Sequence, residues 1–241
     1  MARIGGLTRL AIAVALWVTA HAANAGLVTL VGNSINYVYD DSQTALALFG
    51  APRIVGDAIR FLPGQFRSQS LNNAGTITAD AEFIFSSVYS QDGSGLNGVN
   101  VSEFGDYRVI NAGSAGAELE LTVADNTFSQ SASTGQSFTD SVDSVGLQLF
   151  ELNAGLDLET AFSDPTNDIN VTISNILTAT SAGIGEGAWI QKKLAFAAVT
   201  STGIPVEPRP PTEVVPAPGV LALFGAGLLA LGGVRRRNRP V

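Results

Sequence analysis

The sequence predicts an all-β protein, an antiparallel β-sandwich of jelly-roll-like form, followed by one C-terminal transmembrane helix. Three observations predict it. Apolar residues recur with period two along most of the chain, which is the pattern of half-buried antiparallel strands. Turn-forming clusters separate these runs. One uncharged apolar run, residues 214–234, precedes an Arg-rich end.

Taken in order, residues 1–25 read as a signal peptide. Arg3 and Arg9 form its basic start, and an apolar core runs from Leu10 to Val18. Ala23 and Ala25 supply the small residues of an A-x-A cleavage site. The apolar core is too short for a permanent span, and the absence of a twin-Arg pair points to the general secretory route. Cleavage leaves Gly26 as the new N-terminus and removes His21 and Trp17 from the folded domain.

Residues 26–203 are the ectodomain, long enough for one domain with a substantial core; with the start of the spacer that follows, to residue 215, they form one acidic stretch. Ile35, Tyr37 and Tyr39 share one strand face. Thr44 to Phe49 is one turn of helix or a buried strand, and its length does not decide between them. Ile77, Ala79, Ala81, Phe83 and Phe85 alternate with Thr78, Asp80, Glu82 and Ile84. Leu119, Leu121 and Val123 alternate with Glu118, Glu120 and Thr122. Val171 and Ile173 sit between Asn170, Thr172 and Ser174. Ile190, Leu194 and Phe196 are expected on one face, with Lys192 the exception between them. Turns are marked by Leu62-Pro63-Gly64, Asn72-Asn73-Ala74-Gly75, Asp92-Gly93-Ser94-Gly95, Asn111-Ala112-Gly113 and Asp164-Pro165. About eight to ten short strands at this spacing make a sandwich. Gly105 reads as a bulge or bend between two strands.

Charge is unevenly spread. Residues 26–215 hold seven basic residues and all 21 acidic ones, so this stretch carries −14 where the whole chain carries −8. Such a surface repels nucleic acid and anionic lipid, and it favours solubility outside the cell. There is no cysteine. An exported domain therefore has no disulfide and depends on its core.

Once the signal peptide is removed, neither His nor Cys remains. That excludes a Ser-His-Asp triad, a thiol nucleophile and the ordinary zinc, copper and haem sites. Carboxylate chemistry survives this filter, since a glycosidase needs only two carboxyl groups at a fixed separation. No pair among the 21 acids stands out in the sequence. Calcium suits the remaining oxygen donors. Asp92, Ser94 and Asn97 form one candidate set and Asp164, Asn167 and Asp168 a second, although the same residues are also what turns require. Of aromatic platforms for a sugar, Trp189 is the only tryptophan left, beside Tyr37, Tyr39, Tyr89 and Tyr107; Tyr37 and Tyr39 face the core.

Residues 204–218 hold six of the ten prolines. This composition favours an extended polyproline spacer of ~45 Å. Val215, Pro216, Ala217 and Pro218 close it, residues 219–234 form the transmembrane helix, and residues 235–241 carry Arg235, Arg236, Arg237 and Arg239. The uncharged run makes a helix of ~31 Å, which matches the hydrocarbon thickness of a bilayer. The Arg cluster stays cytoplasmic and leaves everything before it outside.

This three-part tail resembles the PEP-CTERM sorting signal of exported proteins from Gram-negative bacteria that build exopolysaccharide and biofilm matrix. Ala217 stands where that family usually has Glu, a Val-Pro-Ala-Pro variant. The resemblance implies cutting near the motif by exosortase, an intramembrane cysteine protease, after passage through the secretion machinery. It covers about a tenth of the chain. The segment Glu103-Phe104-Gly105-Asp106-Tyr107 also resembles E-x-G-D-Y strands found in β-sandwich ectodomains with this anchor, and brings no activity with it. The expectation is a surface or extracellular-matrix protein, structural or binding in kind and associated with exopolysaccharide. The competing class is a carboxylate-dependent glycan-active enzyme.

Overall fold

The computed structural model describes residues 26–201, apart from Phe128. The expected signal peptide with Ala23 and Ala25, and the expected spacer, sorting motif, helix and Arg cluster, lie outside the described residues. Within them the chain forms twelve strands and two single helical turns. In order these are β1 (Leu27–Val31), β2 (Ile35–Asp40), α1 (Leu46–Phe49), β3 (Arg53–Val55), β4 (Ala58–Phe61), β5 (Arg67–Leu71), β6 (Gly75–Ser90), β7 (Leu96–Ile110), β8 (Ser114–Asp125), β9 (Ser131–Asp140), β10 (Gln148–Asp157), α2 (Leu158–Ala161), β11 (Asp168–Ser181) and β12 (Gly187–Ser201).

Two antiparallel sheets enclose one core. The first has the order β1-β2-β6-β11-β8-β9. The second has the order β10-β7-β12-β4-β3, with β5 also pairing to β12. Period-two alternation sets the inner faces. Ile35, Tyr37, Phe83, Phe85, Leu119, Leu121, Val123, Val171 and Ile173 are all buried in the core, as expected. Ile77 continues the alternation of β6 but remains 42% exposed, because it lies near the start of that strand, away from Phe83 and Phe85. Residues 44–49 resolve as a helical turn that delivers Phe49, fully buried, to an aromatic cluster with Phe61, Phe66 and Phe83. More strands form than expected because β1, β3, β4 and β5 are three to five residues long, too short for alternation to register.

Two expectations are corrected. β7 runs unbroken through Gly105; a side chain there would collide with the Gln191 carbonyl and the Phe150 ring, so glycine serves close packing. The bulge lies on the partner strand, where the β12–β7 register shifts between Lys192 and Leu194. That extra residue, Lys193, changes which side chains face inward. Ile190 and Lys192 point in before the bulge, and Ala195, Ala197 and Val199 belong to the core after it. Leu194 and Phe196 therefore do not share the core face with Ile190, since one inserted residue moves all later side chains to the other face.

Candidate functional site

The bulge produces the most unusual feature of the core. Lys192 is fully buried, and its Nζ donates to Glu103 Oε2 at 2.6 Å; the Glu103 side chain is fully buried too. Glu103 comes from the centre of β7 and pairs in register with Ala195. The Nζ also sits 4.8 Å from the centre of the Phe66 ring and 5.4 Å from that of Phe49. Loss of water around Nζ penalises the charged amine, and this burial pushes the Lys192 amine below its ordinary value even though Glu103 opposes the shift. Glu103 Oε1 has no hydrogen-bond partner. A buried ion pair with one open acceptor costs much of what its attraction returns.

A second buried polar group belongs beside this pair. Asn175 is 1% exposed on β11, and neither its Oδ1 nor its Nδ2 has a hydrogen-bond partner. Its neighbours on the inner face of its own sheet are Ile173 and Leu177 along the strand, with Ala81 and Leu119 across it, all apolar. On that face the amide can meet another polar group only across the core, from the opposite sheet.

Three rungs across the sandwich fix what lies opposite. Ser70 and Ser181 hydroxyls meet at 2.8 Å, and Ser70 pairs with Ala188, which sets Ser181 level with Ala188. Ser68 Oγ donates to the Ile77 carbonyl at 2.7 Å; Ser68 pairs with Ile190 and Ile77 with Ala179, which sets Ala179 level with Ile190. The Phe83 and Phe61 rings lie 5.0 Å apart; Phe83 pairs with Ile173 and Phe61 with Ala195, which sets Ile173 level with Ala195. Asn175 falls between the second and third rungs. So does Lys192, and Glu103 sits at the third. The amine, the carboxylate and the unpartnered amide thus occupy one level of the core.

The residues singled out for calcium lie elsewhere. Asp92 and Ser94 share the β6–β7 turn, where the Asp92 carboxylate accepts from Ser90 Oγ and the Ser94 backbone N–H. These bonds hold its carboxyl down to about 2. Asn97 has entered β7 and accepts from Thr200 Oγ1 at 2.6 Å. Asp168 accepts from Ser87 and Asn126, while Asp164 and Asn167 remain in the preceding loop. Among the described residues no three His, Cys, Asp or Glu side chains are grouped so as to hold a metal. Tyr107 joins Tyr37 and Tyr39 among the buried aromatics, and Trp189 is half-buried beside Lys193.

Carboxylates do gather on the outer face of the first sheet. Register places Asp80, Ile176 and Glu118 in one row and Glu82, Ser174 and Glu120 in the next. Acids on opposite sides of β11 are two strand spacings apart, about 10 Å at the backbone. All four are exposed and border open hollows on this face. Sequence reasoning missed the inner triad. The one available signal was Lys192, a charge interrupting an apolar alternation; Asn175 and Glu103 give none without the sheet pairing.

No protein-family model and no curated protein sequence matches the chain. Solved structures with a similar course include infectious bursal disease virus of the Gt strain, at 15% identity and TM-score 0.36, covering 75% of this chain and 39% of that one. The Gx strain structure gives 12% identity and TM-score 0.37, over 75% and 38%. The VP2 subviral particle of the same virus gives 10% identity and TM-score 0.28, over 85% and 53%. The chain spans about half or less of these neighbours' length, and likeness at this level carries no argument about what it does.

Proposed function

We propose that this chain is an exported protein, held transiently in the inner membrane by its C-terminal helix. Its jelly-roll-like sandwich then acts at the cell surface or in the extracellular matrix as a structural or glycan-associated module. The observation that carries the reading is the tail: Val215-Pro216-Ala217-Pro218, an uncharged run and an Arg cluster in that order. It is supported by a Cys-free, acidic sandwich whose buried polar groups are enclosed in the core. Exosortase-type cutting at the motif frees the domain from the membrane.

The test is the intact mass of protein recovered from the native host. The expected C-terminus lies near Pro216 to Gly219, without Arg235, Arg236, Arg237 and Arg239. A chain still ending at Val241 would falsify the sorting reading and leave a permanently anchored protein.

A second reading, a carboxylate-dependent glycan-active enzyme, is favoured by the two acidic rows across β11. Its opposed carboxyls would have to flank a glycosidic bond. Incubating the domain with matrix polysaccharide separates the two. Binding with unchanged chain length supports the module, and shortened chains support the enzyme.

A further inference from the structure

We propose that Lys192 and Asn175 join through an intramolecular amide bond whose formation is promoted by Glu103, so that β11 and β12 become covalently linked across the sandwich. Every requirement of the reaction meets a group already described. The nucleophile is a lysine amine fully buried from water between Phe49 and Phe66, and it is the burial that favours the uncharged form. The base is a carboxylate 2.6 Å from that amine. The electrophile is a carboxamide at the same level of the core, with both polar atoms unpartnered and only apolar neighbours on its own sheet. A buried amide with no partner is costly. Three such groups at one level are hard to explain as packing alone.

The step balances without a co-reactant. Glu103 Oε2 takes a proton from the Lys192 ammonium and leaves a neutral amine. The carboxyl, now protonated, hydrogen-bonds the Asn175 carbonyl oxygen and polarises Cγ. Nζ attacks Cγ, and Glu103 passes a proton to the departing Nδ2. The Nζ–Cγ bond forms, the Cγ–Nδ2 bond breaks, and Nδ2 leaves as ammonia, which carries the extra proton away as ammonium. Nothing is oxidised or reduced. Water is excluded by Phe49 of α1 and Phe66, which precedes β5, on one side and by Ile173, Leu177 and Leu119 of the first sheet on the other. The product gives this Cys-free chain what a disulfide gives other exported domains, in a form that reductants do not break.

The experiment is peptide-level mass spectrometry of the full chain, purified as folded and digested with a protease that cuts after Glu186, which lies between the two residues. The expected result is one branched peptide joining the Asn175 and Lys192 segments, lighter by one ammonia (about 17 Da) than the sum of its parts. Glu103→Gln and Asn175→Ala should each return separate peptides of full mass. Two separate full-mass peptides from the unaltered protein would overturn the proposal without any variant having to fold. A loss of water mapping to Lys192 and Glu103 would also overturn it, because Glu103 would then be the electrophile. The readout involves neither the tail nor a glycan, so it is independent of the proposed localisation and role.

Discussion

Lys192 and Lys193 are consecutive residues on one strand and meet opposite surroundings. Lys192 is sealed in the core with Glu103, and both side chains are fully buried. Lys193 lies on the outer face, where its Nζ is 3.7 Å from Asp106 Oδ1, 2.9 Å from Gln191 Oε1 and beside the Trp189 ring. The lysine and aspartate side chains there are 33% and 15% exposed. Both pairs join β12 to β7 through a lysine and an acid. What separates them is the dielectric around each. On the outer face the exposed Lys193 end lets water screen part of the pair, so breaking it costs far less than breaking the core pair. In the core nothing screens it, and removing one partner strands a charge. A single bulge residue decides which lysine receives which treatment.

The comparison is tested most severely at Lys192. Lys192→Met leaves the buried Glu103 carboxylate without the Lys192 nitrogen it bonds and removes the proposed link, so a loss of at least ~3–5 kcal/mol in denaturant unfolding is expected. Adding Glu103→Leu should recover part of that loss, because a stranded charge is then replaced by apolar packing. A Lys192→Met protein as stable as the parent would remove the contrast between the two lysines.

Asn175→Leu sharpens the same contrast through the sign of its effect. An unpartnered buried amide replaced by an apolar side chain of similar size ought to stabilise, or leave stability unchanged. If the amide link exists, the substitution instead cuts a closure spanning residues 175–192. By analogy with a disulfide of that loop length it should cost ~3 kcal/mol. Thermal melting of the purified variant against the parent decides between a fall and a rise.

The smallest effect belongs to Lys193→Ala, expected within ~1 kcal/mol at neutral pH and reduced by added salt. Burial raises the Asp106 carboxyl above its ordinary value and Lys193 opposes that rise. Because the folded value is raised, Asp106 favours the folded state most at low pH, and that advantage fades as pH rises through the folded value. Lys193 matters only once Asp106 is ionised. The gap between variant and parent should therefore close as pH falls through that raised folded value, already above the ordinary aspartate value of 3.8. A gap unchanged between neutral and acidic pH would assign the effect of Lys193 to its packing on Trp189.

Period-two alternation by itself determined the all-β class and most of the inner face, from Ile35 and Tyr37 to Val171 and Ile173. It could do so because the strand repeat is local: each side chain's face follows from its neighbours two positions away. The order of Pro-containing motif, uncharged run and Arg cluster, and the acidic, Cys-free composition, were equally plain in the sequence. The register between strands far apart in the chain was not. The bulge at Lys193, the inward turn of Lys192 and the reversal of Leu194 and Phe196 depend on how β12 pairs with β7, which no window of β12 contains. Asn175 lies in an unremarkable Ser-Asn-Ile segment, and Glu103 looks like any acid on an alternating strand. Only tertiary structure brought them to one level with Lys192. Strand pairing and sheet packing, rather than local propensity, set distances between residues separated by dozens of positions, and burial in that shared core turns three ordinary side chains into a reactive set.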